Sequence, residues 1–525
     1  MTRSKLSFVI LIQLWYLNSS IAYNILSFSF IPVKSHDSVL TALLKELASR
    51  NHNVTVYTVF PSPEQIPNYE EVDINECFTF PSVYQKIPQM RSSPKIESFF
   101  RWYHHVDRFT QLDRCVILKN LLKSSKNYDL FIFEPFHMSS LLSIAEYFDI
   151  PVIYVFPNVL LPWMASNLGT PANPSYVPTM ISGFGPKMSF IERIQNVGLY
   201  GTYMVFYYGW LYPVCDVISG KIHDSGVPLN VLESRVALVL TNTHFTLQSN
   251  VPLSPNVVQV GGINIKNATA VPKNIEKFIN ESKHGVVYFC MGSLLRGETF
   301  PPEKREAFLY AFSKIPQRVL WKWEGDVLPG KSDNIMISKW MPQRDILAHP
   351  NVKLFISHGG LLGTSEAVYE GVPVLGIPIF GDQRTNIKSL EANGAGELLD
   401  YNEISKEVVL EKIQRLLNDP KYKENAKLLS DRYRDRPMSP LDTAVYWTEY
   451  VIRHKGAPHL RTAAADMPWY QYLLLDVIAF IVAVLVAGLL IIYYTTKFIL
   501  RAIYGLICGG GAKKGSSKSD KKKRN

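Results

Sequence analysis

Residues 340–383 hold the densest set of side chains able to do chemistry. They read Trp340-Met341-Pro342-Gln343, Leu347-Ala348-His349-Pro350, Phe355-Ile356-Ser357-His358-Gly359-Gly360, Glu366, Gly371-Val372-Pro373, Pro378 and Asp382-Gln383. His358-Gly359-Gly360 follows a strand pattern and precedes a helical one. Glycines there let backbone amides approach an anion, and the helix N-terminus favours its charge. His358 can donate to the same anion, Glu366 can accept from a diol, and Trp340 offers a face for a stacked base. Asp382 and Gln383 can bind hydroxyls. Singly, each has a plainer reading: a Gly-Gly pair is a turn, a Trp beside a Pro is packing, a helical Glu is a solvated face. Their joint spacing suits a nucleotide diphosphate attached to a polyol.

A second set lies near the start, where Pro32-Val33-Lys34-Ser35-His36-Asp37-Ser38 follows an apolar strand and opens a helix. On local sequence alone His36 reads equally well as a helix-entry residue and as an imidazole facing a cleft. An imidazole titrates near neutral pH, which suits proton abstraction from a hydroxyl.

The elements that must carry these residues alternate between strands and helices, the pattern of parallel α/β layers. Residues 23–30, 54–60, 130–133 and 150–155 read as buried strands, with a helix face at Val39, Leu40, Leu43, Leu44 and Leu47 and a helix over 138–148. Residues 61–127 and 157–231 are aromatic and Pro-rich without a clear period, and read as irregular walls of a binding site. A second α/β series is expected from near Val257. Its strands are 286–289, 319–321, 335–337, 353–356 and 374–377, with helices at 303–312 and 364–369. Two such bodies joined near residue 250 imply a cleft, with ligands at the carboxyl ends of the strands.

The formal charge of +10 sits at the chain ends. Nine Lys/Arg against Asp520 lie in residues 495–525, and Arg3 and Lys5 lie in residues 1–22, which leaves the body near neutral. That argues against a nucleic-acid surface. Arg3 and Lys5, the apolar stretch 6–17 and Ser20-Ile21-Ala22 read as a secretory signal peptide over residues 1–22, with a retained anchor helix as the alternative. Residues 472–494 are apolar except for Asp476, long enough to span a bilayer, flanked by Trp469, Tyr470, Tyr493 and Tyr494, and followed by Lys497 and Arg501. The expected topology is type I, with a lumenal body and a basic cytosolic tail over 495–525. The terminal Lys522-Lys523-Arg524-Asn525 reads as a dilysine return signal to the endoplasmic reticulum, or as a polybasic stretch drawn to anionic lipid. Asn53, Asn267 and Asn280 head glycosylation triplets, although the strand position of Asn53 argues against access. Five cysteines, at 77, 115, 215, 290 and 508, show no metal-ligand spacing; one lumenal disulfide is left open.

The 340–383 block resembles the signature of the UDP-glycosyltransferase (UGT) family, and the wording Gly-Gly-Leu-Leu after His358 is similar to its insect branch. The resemblance extends to the signal, the anchor and the basic tail. It implies the GT-B fold: an α/β architecture of two facing Rossmann-like domains with a C-terminal transmembrane helix. Residues 23–250 would bind the acceptor and 251–455 the UDP-sugar, with 446–453 packing back on the first domain and residues 80–210 walling the acceptor. At matching positions Trp340 would stack on uracil, Gln343 would bond the uridine, His358 would contact the diphosphate, and Glu366 would hold the ribose. Asp382 and Gln383 would bind sugar hydroxyls, and Ser293 would form a Gly-Ser turn near the phosphates. Several family branches place Asn where this chain has Leu362; amides near Gly360 and Gly363, with Thr364, would compensate.

His36 matches the family's general base. Family members usually follow the strand at 130–133 with Asp; this chain has Glu134, one methylene longer, as the imidazole's carboxylate partner, with Asp129 as the alternative. No Asp-x-Asp occurs, so no acidic metal motif is available and no cofactor beyond the UDP-sugar co-substrate is implied. The implied reaction is inverting, metal-independent transfer of a hexose to a hydroxyl of a small lipophilic acceptor, for detoxification or for hormone or pigment conjugation. Gln383 and the insect-like wording favour glucose over glucuronate. The implied partners are the UDP-sugar, the acceptor and the endoplasmic reticulum membrane; a homo-oligomer is left open. The rival readings are a catalytically inert ligand binder, an enzyme acting on membrane lipids and, more remotely, a structural membrane protein with no small-molecule site.

Overall fold

Runs of apolar residues without polar alternation call for strands covered on both faces, and the computed structural model folds them into two parallel sheets. It describes residues 22–78, 114–136, 138–185, 187–248, 251–293 and 295–508. The expected signal peptide, much of the 61–127 segment and the tail with Lys522 and Lys523 lie outside these.

The first sheet runs β3-β2-β1-β4-β5-β6-β7. Its strands are β1 Asn24–Ser29, β2 Asn53–Thr58, β3 Tyr69–Asp73, β4 Leu130–Phe133, β5 Val152–Phe156, β6 Val236–Thr241 and β7 Val257–Gln259. The second runs β10-β9-β8-β11-β12-β13, from β8 Val286–Cys290, β9 Arg318–Lys322, β10 Ile335–Ser338, β11 Val352–Ser357, β12 Val374–Gly376 and β13 Gly396–Leu398. Every residue of β4, β5, β6 and β8 is buried. In both sheets the order reverses beside the first strand, at β1/β4 and at β8/β11. Such switch points open crevices at the strands' carboxyl ends.

Two expectations are corrected. Val257–Gln259 does not begin the second series: it pairs with β6, Val239 opposite Val257, so the first sheet runs past residue 250. Residues 157–231 are largely helical, not irregular. They hold Pro162–Asn167, Phe190–Phe206, a single π-turn at Tyr207–Leu211, Tyr212–Ile222 and Leu229–Glu233. The period was hidden because the helix Phe190–Phe206 is apolar on both sides. Tyr203 and Phe206 are buried, while Phe190, Ile191, Ile194, Val197 and Val205 are exposed. The visible sign was the capping box Ser189-x-x-Glu192, whose reciprocal bonds satisfy the helix's first amides.

Helix α1 (Lys34–Ser49) buries Val39, Leu40, Leu43, Leu44 and Leu47, and truncating one such Leu to Ala costs about 2–5 kcal/mol. Its N-cap Val33 makes no side-chain cap bond. Instead Asp37 ties the helix start to the strand, accepting from Ser29 Oγ at 2.8 Å and Lys34 Nζ at 2.8 Å. Helices α2 (Leu361–Tyr369) and α3 (Gln383–Ala392) follow β11 and β12, and α4 (Pro440–Arg453) returns to the first sheet's side. There Asp442 pairs with Arg50, Glu449 sits 3.3 Å from His52 Nε2, and Ala444 and Val445 share a core with Val39 and Leu43.

Cys77 and Cys115 form a disulfide, and Cys215 and Cys290 are buried thiols. Asn53, Asn267 and Asn280 are all exposed, including Asn53 at the head of β2. Residues Asp466–Asn525 form a unit of their own. After a break at Leu474, φ +55°, helix α5 (Leu475–Cys508) is long and apolar enough to cross a membrane, with a mean hydropathy of 3.0 over an 18-residue window. It starts later than residue 472, and it passes residue 494 because Phe498, Ile499 and Leu500, between Lys497 and Arg501, and Ile503 after them continue the apolar run.

Candidate active site

A cleft of about 650 Å³ lies at the carboxyl ends of both sheets and is lined from each side. From the first come Lys34, His36, Phe136, Phe156 and Asn158; from the second Ser293, Lys322, Trp340, Gln343, His358, Gly360, Gly363, Glu366, Asp382 and Gln383. Every sequence-predicted binding residue but Thr364 therefore lines one cavity. Glu134 stands behind His36.

His36 leaves β1 through Val33 and enters α1 while Glu134 leaves β4, so the β1/β4 switch brings together residues far apart in sequence. His36 Nδ1 lies 2.6 Å from Glu134 Oε1, and the Glu134 side chain is 5% exposed. Asp129 lies at the opposite, amino end of β4, where it accepts from Asn24 N at 2.7 Å. The geometry selects Glu134 over Asp129. With Nδ1 committed as donor to the carboxylate, Nε2 is left as the acceptor. Burial works against the charged imidazole, but the charge and hydrogen bond of Glu134 outweigh it, Asp382 adds to them, and the pKa rises above 6.5. Phe136 lies edge-on to the ring at 5.7 Å.

The β8/β11 switch is built differently. His358 follows β11, its ring between two glycines: a Cβ on Gly292, φ +84°, would come within 2.5 Å of His358 Cε1, and one on Gly360 within 2.5 Å of Nε2. Both positions must lack side chains for the ring to sit there. Burial and the Lys322 charge push His358 down to about 4, so it is a neutral donor at physiological pH. Thr364 N bonds Gly360 O, which leaves the first amides of α2 without intrahelical acceptors at the cavity wall. Thr364 itself is fully buried, and Gly363 is a packing position, its missing Cβ 3.1 Å from Gln343 Nε2.

Gln343 Nε2 donates to Glu366 Oε2 at 2.7 Å, so these two act as a unit, and burial raises the Glu366 carboxyl. Trp340 is 67% exposed, its face open for stacking. Gln383 Oε1 accepts from Ile379 N at 2.8 Å and Phe380 N at 3.1 Å, so only its amide NH2 remains for a hydroxyl. Asp382 accepts from Asn386 Nδ2 at 2.7 Å; burial raises its carboxyl, opposed by Asn386 and Asn158. Asn158 and Lys322 were not singled out in the sequence. Their only signal was position, each at the carboxyl end of a parallel strand.

The family model described as "UDP-glucoronosyl and UDP-glucosyl transferase" matches residues 31–509. UDP-glycosyltransferase UGT5 of Dactylopius coccus is 58% identical over 95% of this chain and 96% of its own length. UDP-glucosyltransferase 2 of the same insect is 40% identical over 94% of each, and mouse UDP-glucuronosyltransferase 1A7 is 36% identical over 75% of this chain and 73% of its own. Among solved structures, the glycosyltransferase of kitacinnamycin superposes with a TM-score of 0.55 at 18% identity, over 82% of this chain and 99% of that one. The spinosyn forosaminyltransferase SpnP superposes with a TM-score of 0.55 at 17% identity, over the same shares. These superpositions identify the two-sheet architecture as GT-B, and the sequence matches place the chain in the UDP-glucuronosyl and UDP-glucosyl transferase family: it is a UDP-glycosyltransferase.

Proposed function

We propose that the enzyme transfers a neutral hexose, glucose first, from its UDP donor to a hydroxyl of a small lipophilic acceptor, with inversion and without a metal. The carrying observation is the His36–Glu134 pair at 2.6 Å on the wall facing Asp382 and Gln383. The acceptor hydroxyl gives its proton to His36 Nε2 as its oxygen attacks the anomeric carbon. The bond from that carbon to the β-phosphate oxygen breaks on the opposite face, and UDP leaves. Glu134 stabilises the imidazolium that forms. On the donor side Trp340 stacks on uracil, Gln343 and Glu366 hold the uridine, and Ser293, His358 and the amides at Gly360 and Gly363 take the diphosphate. These neutral donors and a helix N-terminus stabilise the departing charge. Asp382 accepts from sugar hydroxyls and Gln383 donates to them. Phe136, Phe156, Met180 and Ile181 give the first domain's wall an apolar surface suited to lipophilic acceptors.

A donor-by-acceptor screen tests this reading, following UDP release and the anomeric configuration of the glycoside. A β-glycoside from an α-linked UDP-sugar supports inversion; retention, or no transfer to any phenol or steroid, breaks it. The signal peptide and α5 support a lumenal body anchored in the endoplasmic reticulum membrane. Protease added to intact microsomes should remove only the tail, and digestion of the body would contradict that placement.

A further inference from the structure

Relatives of this chain include both a glucosyltransferase and glucuronosyltransferases, so family membership leaves the donor sugar open. Glucose and glucuronate differ at C6, a hydroxymethyl group against a carboxylate. A buried carboxylate needs a cation or several donors to replace its water. Among the described residues, three permanently basic side chains line the cleft: Lys34, Lys322 and Arg384.

Each is already committed to a carboxylate of the protein. Lys34 Nζ lies 2.8 Å from Asp37. Lys322 Nζ lies 2.8 Å from Glu324 and 3.1 Å from Gly292 O. Arg384 NH1 lies 3.0 Å from Asp400 Oδ2. Of the three, Arg384 is at the sugar end, directly after Asp382-Gln383 on α3, and Asp400 and Asn402 line the same wall.

The Arg384–Asp400 pair is held from both ends. Asp400 Oδ1 accepts from Asn402 N at 3.0 Å and Nδ2 at 3.1 Å, which fixes the carboxylate. Burial alone would raise its carboxyl, but these bonds and Arg384 hold it below its ordinary value. Across the interface, Gly183 leaves room for the arginine's stem: a Cβ there would come within 2.7 Å of Arg384 Cδ.

We infer that the Arg384–Asp400 ion pair is the donor-sugar filter, a neutralised wall that admits the hydroxymethyl of a hexose and rejects the carboxylate of a hexuronate. This rests on the proposed assignment of Asp382 and Gln383 to the sugar. A uronate carboxylate would have to displace Asp400 from Arg384, or stand beside Asp382 without a partner. Either course costs desolvation that a neutral hexose avoids.

The test compares kcat/KM for UDP-glucose and UDP-glucuronate with one acceptor, using the full-length enzyme in microsomes. Wild type should favour UDP-glucose by about tenfold or more, the scale of one charge left unpaired beside a partly exposed ion pair, whose side chains are 38% and 29% exposed. Asp400→Asn releases Arg384 and should move the ratio toward UDP-glucuronate by about tenfold or more, through a gain with the uronate. Arg384→Gln removes the cation and leaves Asp400, so it must not move the ratio toward the uronate. A wild-type preference for UDP-glucuronate overturns the inference without any variant. So does an unchanged ratio in an Asp400→Asn enzyme that still binds UDP. Wild-type enzyme that binds no UDP and transfers from neither donor would overturn the underlying assignment, and the inference with it.

Discussion

His36 and His358 reach one cleft from the carboxyl ends of strands in opposite sheets, and their surroundings push them in opposite directions. Burial disfavours the charged form of both. Beside His36 a buried carboxylate 2.6 Å away reverses the effect and raises the pKa; beside His358 a lysine adds to it and the pKa falls to about 4. The sheet order is the same, yet one switch point favours a charged imidazole and the other holds a neutral one. What differs is the side chain entering from the adjacent strand or turn: Glu134 after β4, glycine after β8.

If that division of labour holds, His36→Ala should lower kcat by on the order of 10²–10⁴-fold while the Kd for UDP stays near wild type. Turnover of purified variant and calorimetric titration with UDP check it, and unchanged turnover would remove His36 from the chemistry. Asp382→Ala or Gln383→Ala should cost about 10–100-fold in kcat/KM for the UDP-sugar, from one lost hydrogen bond to a charged or buried partner. Free UDP lacks the sugar, so its affinity should change much less; equal losses would assign these residues to the nucleotide or the fold.

Gly360→Ala sharpens the contrast from the other side. The added Cβ would collide with the His358 ring at 2.5 Å, so the ring must move. UDP binding should weaken by about tenfold, with the pH dependence of transfer unmoved. The smallest expected effect is none: transfer should persist in excess EDTA, and loss restored by Mg²⁺ or Mn²⁺ would contradict a metal-independent mechanism.

The donor half was far more legible in the sequence than the acceptor half. Trp340, Gln343, His358, Glu366, Asp382 and Gln383 fall within one short stretch, because β11, α2 and β12 follow one another without insertion. Their spacing survives as a pattern. His36 and Glu134 are 98 residues apart and meet only through the β1/β4 register, so their pairing needed an outside analogy and Asp129 stayed in contention. Asn158, Lys322 and Asp400 carried no motif; their positions follow from sheet geometry, which one chain's residue types do not reveal. The helix Phe190–Phe206 was missed because apolar residues on both faces erase the period by which helices are read.

The pH profile of kcat/KM tests the central claim most directly, because it reports the ionisation of the free enzyme's base. A base must be deprotonated, so activity should fall as pH drops through the raised pKa of His36, with the acid limb above 6.5. Glu134→Gln removes the charge that raises it and keeps the shape. In that variant the limb should move to lower pH while the plateau falls, because the imidazolium formed during transfer loses its counter-charge. A wild-type limb below 6.5, or a limb that Glu134→Gln leaves in place, would contradict the assignment of His36 and Glu134 as the catalytic pair.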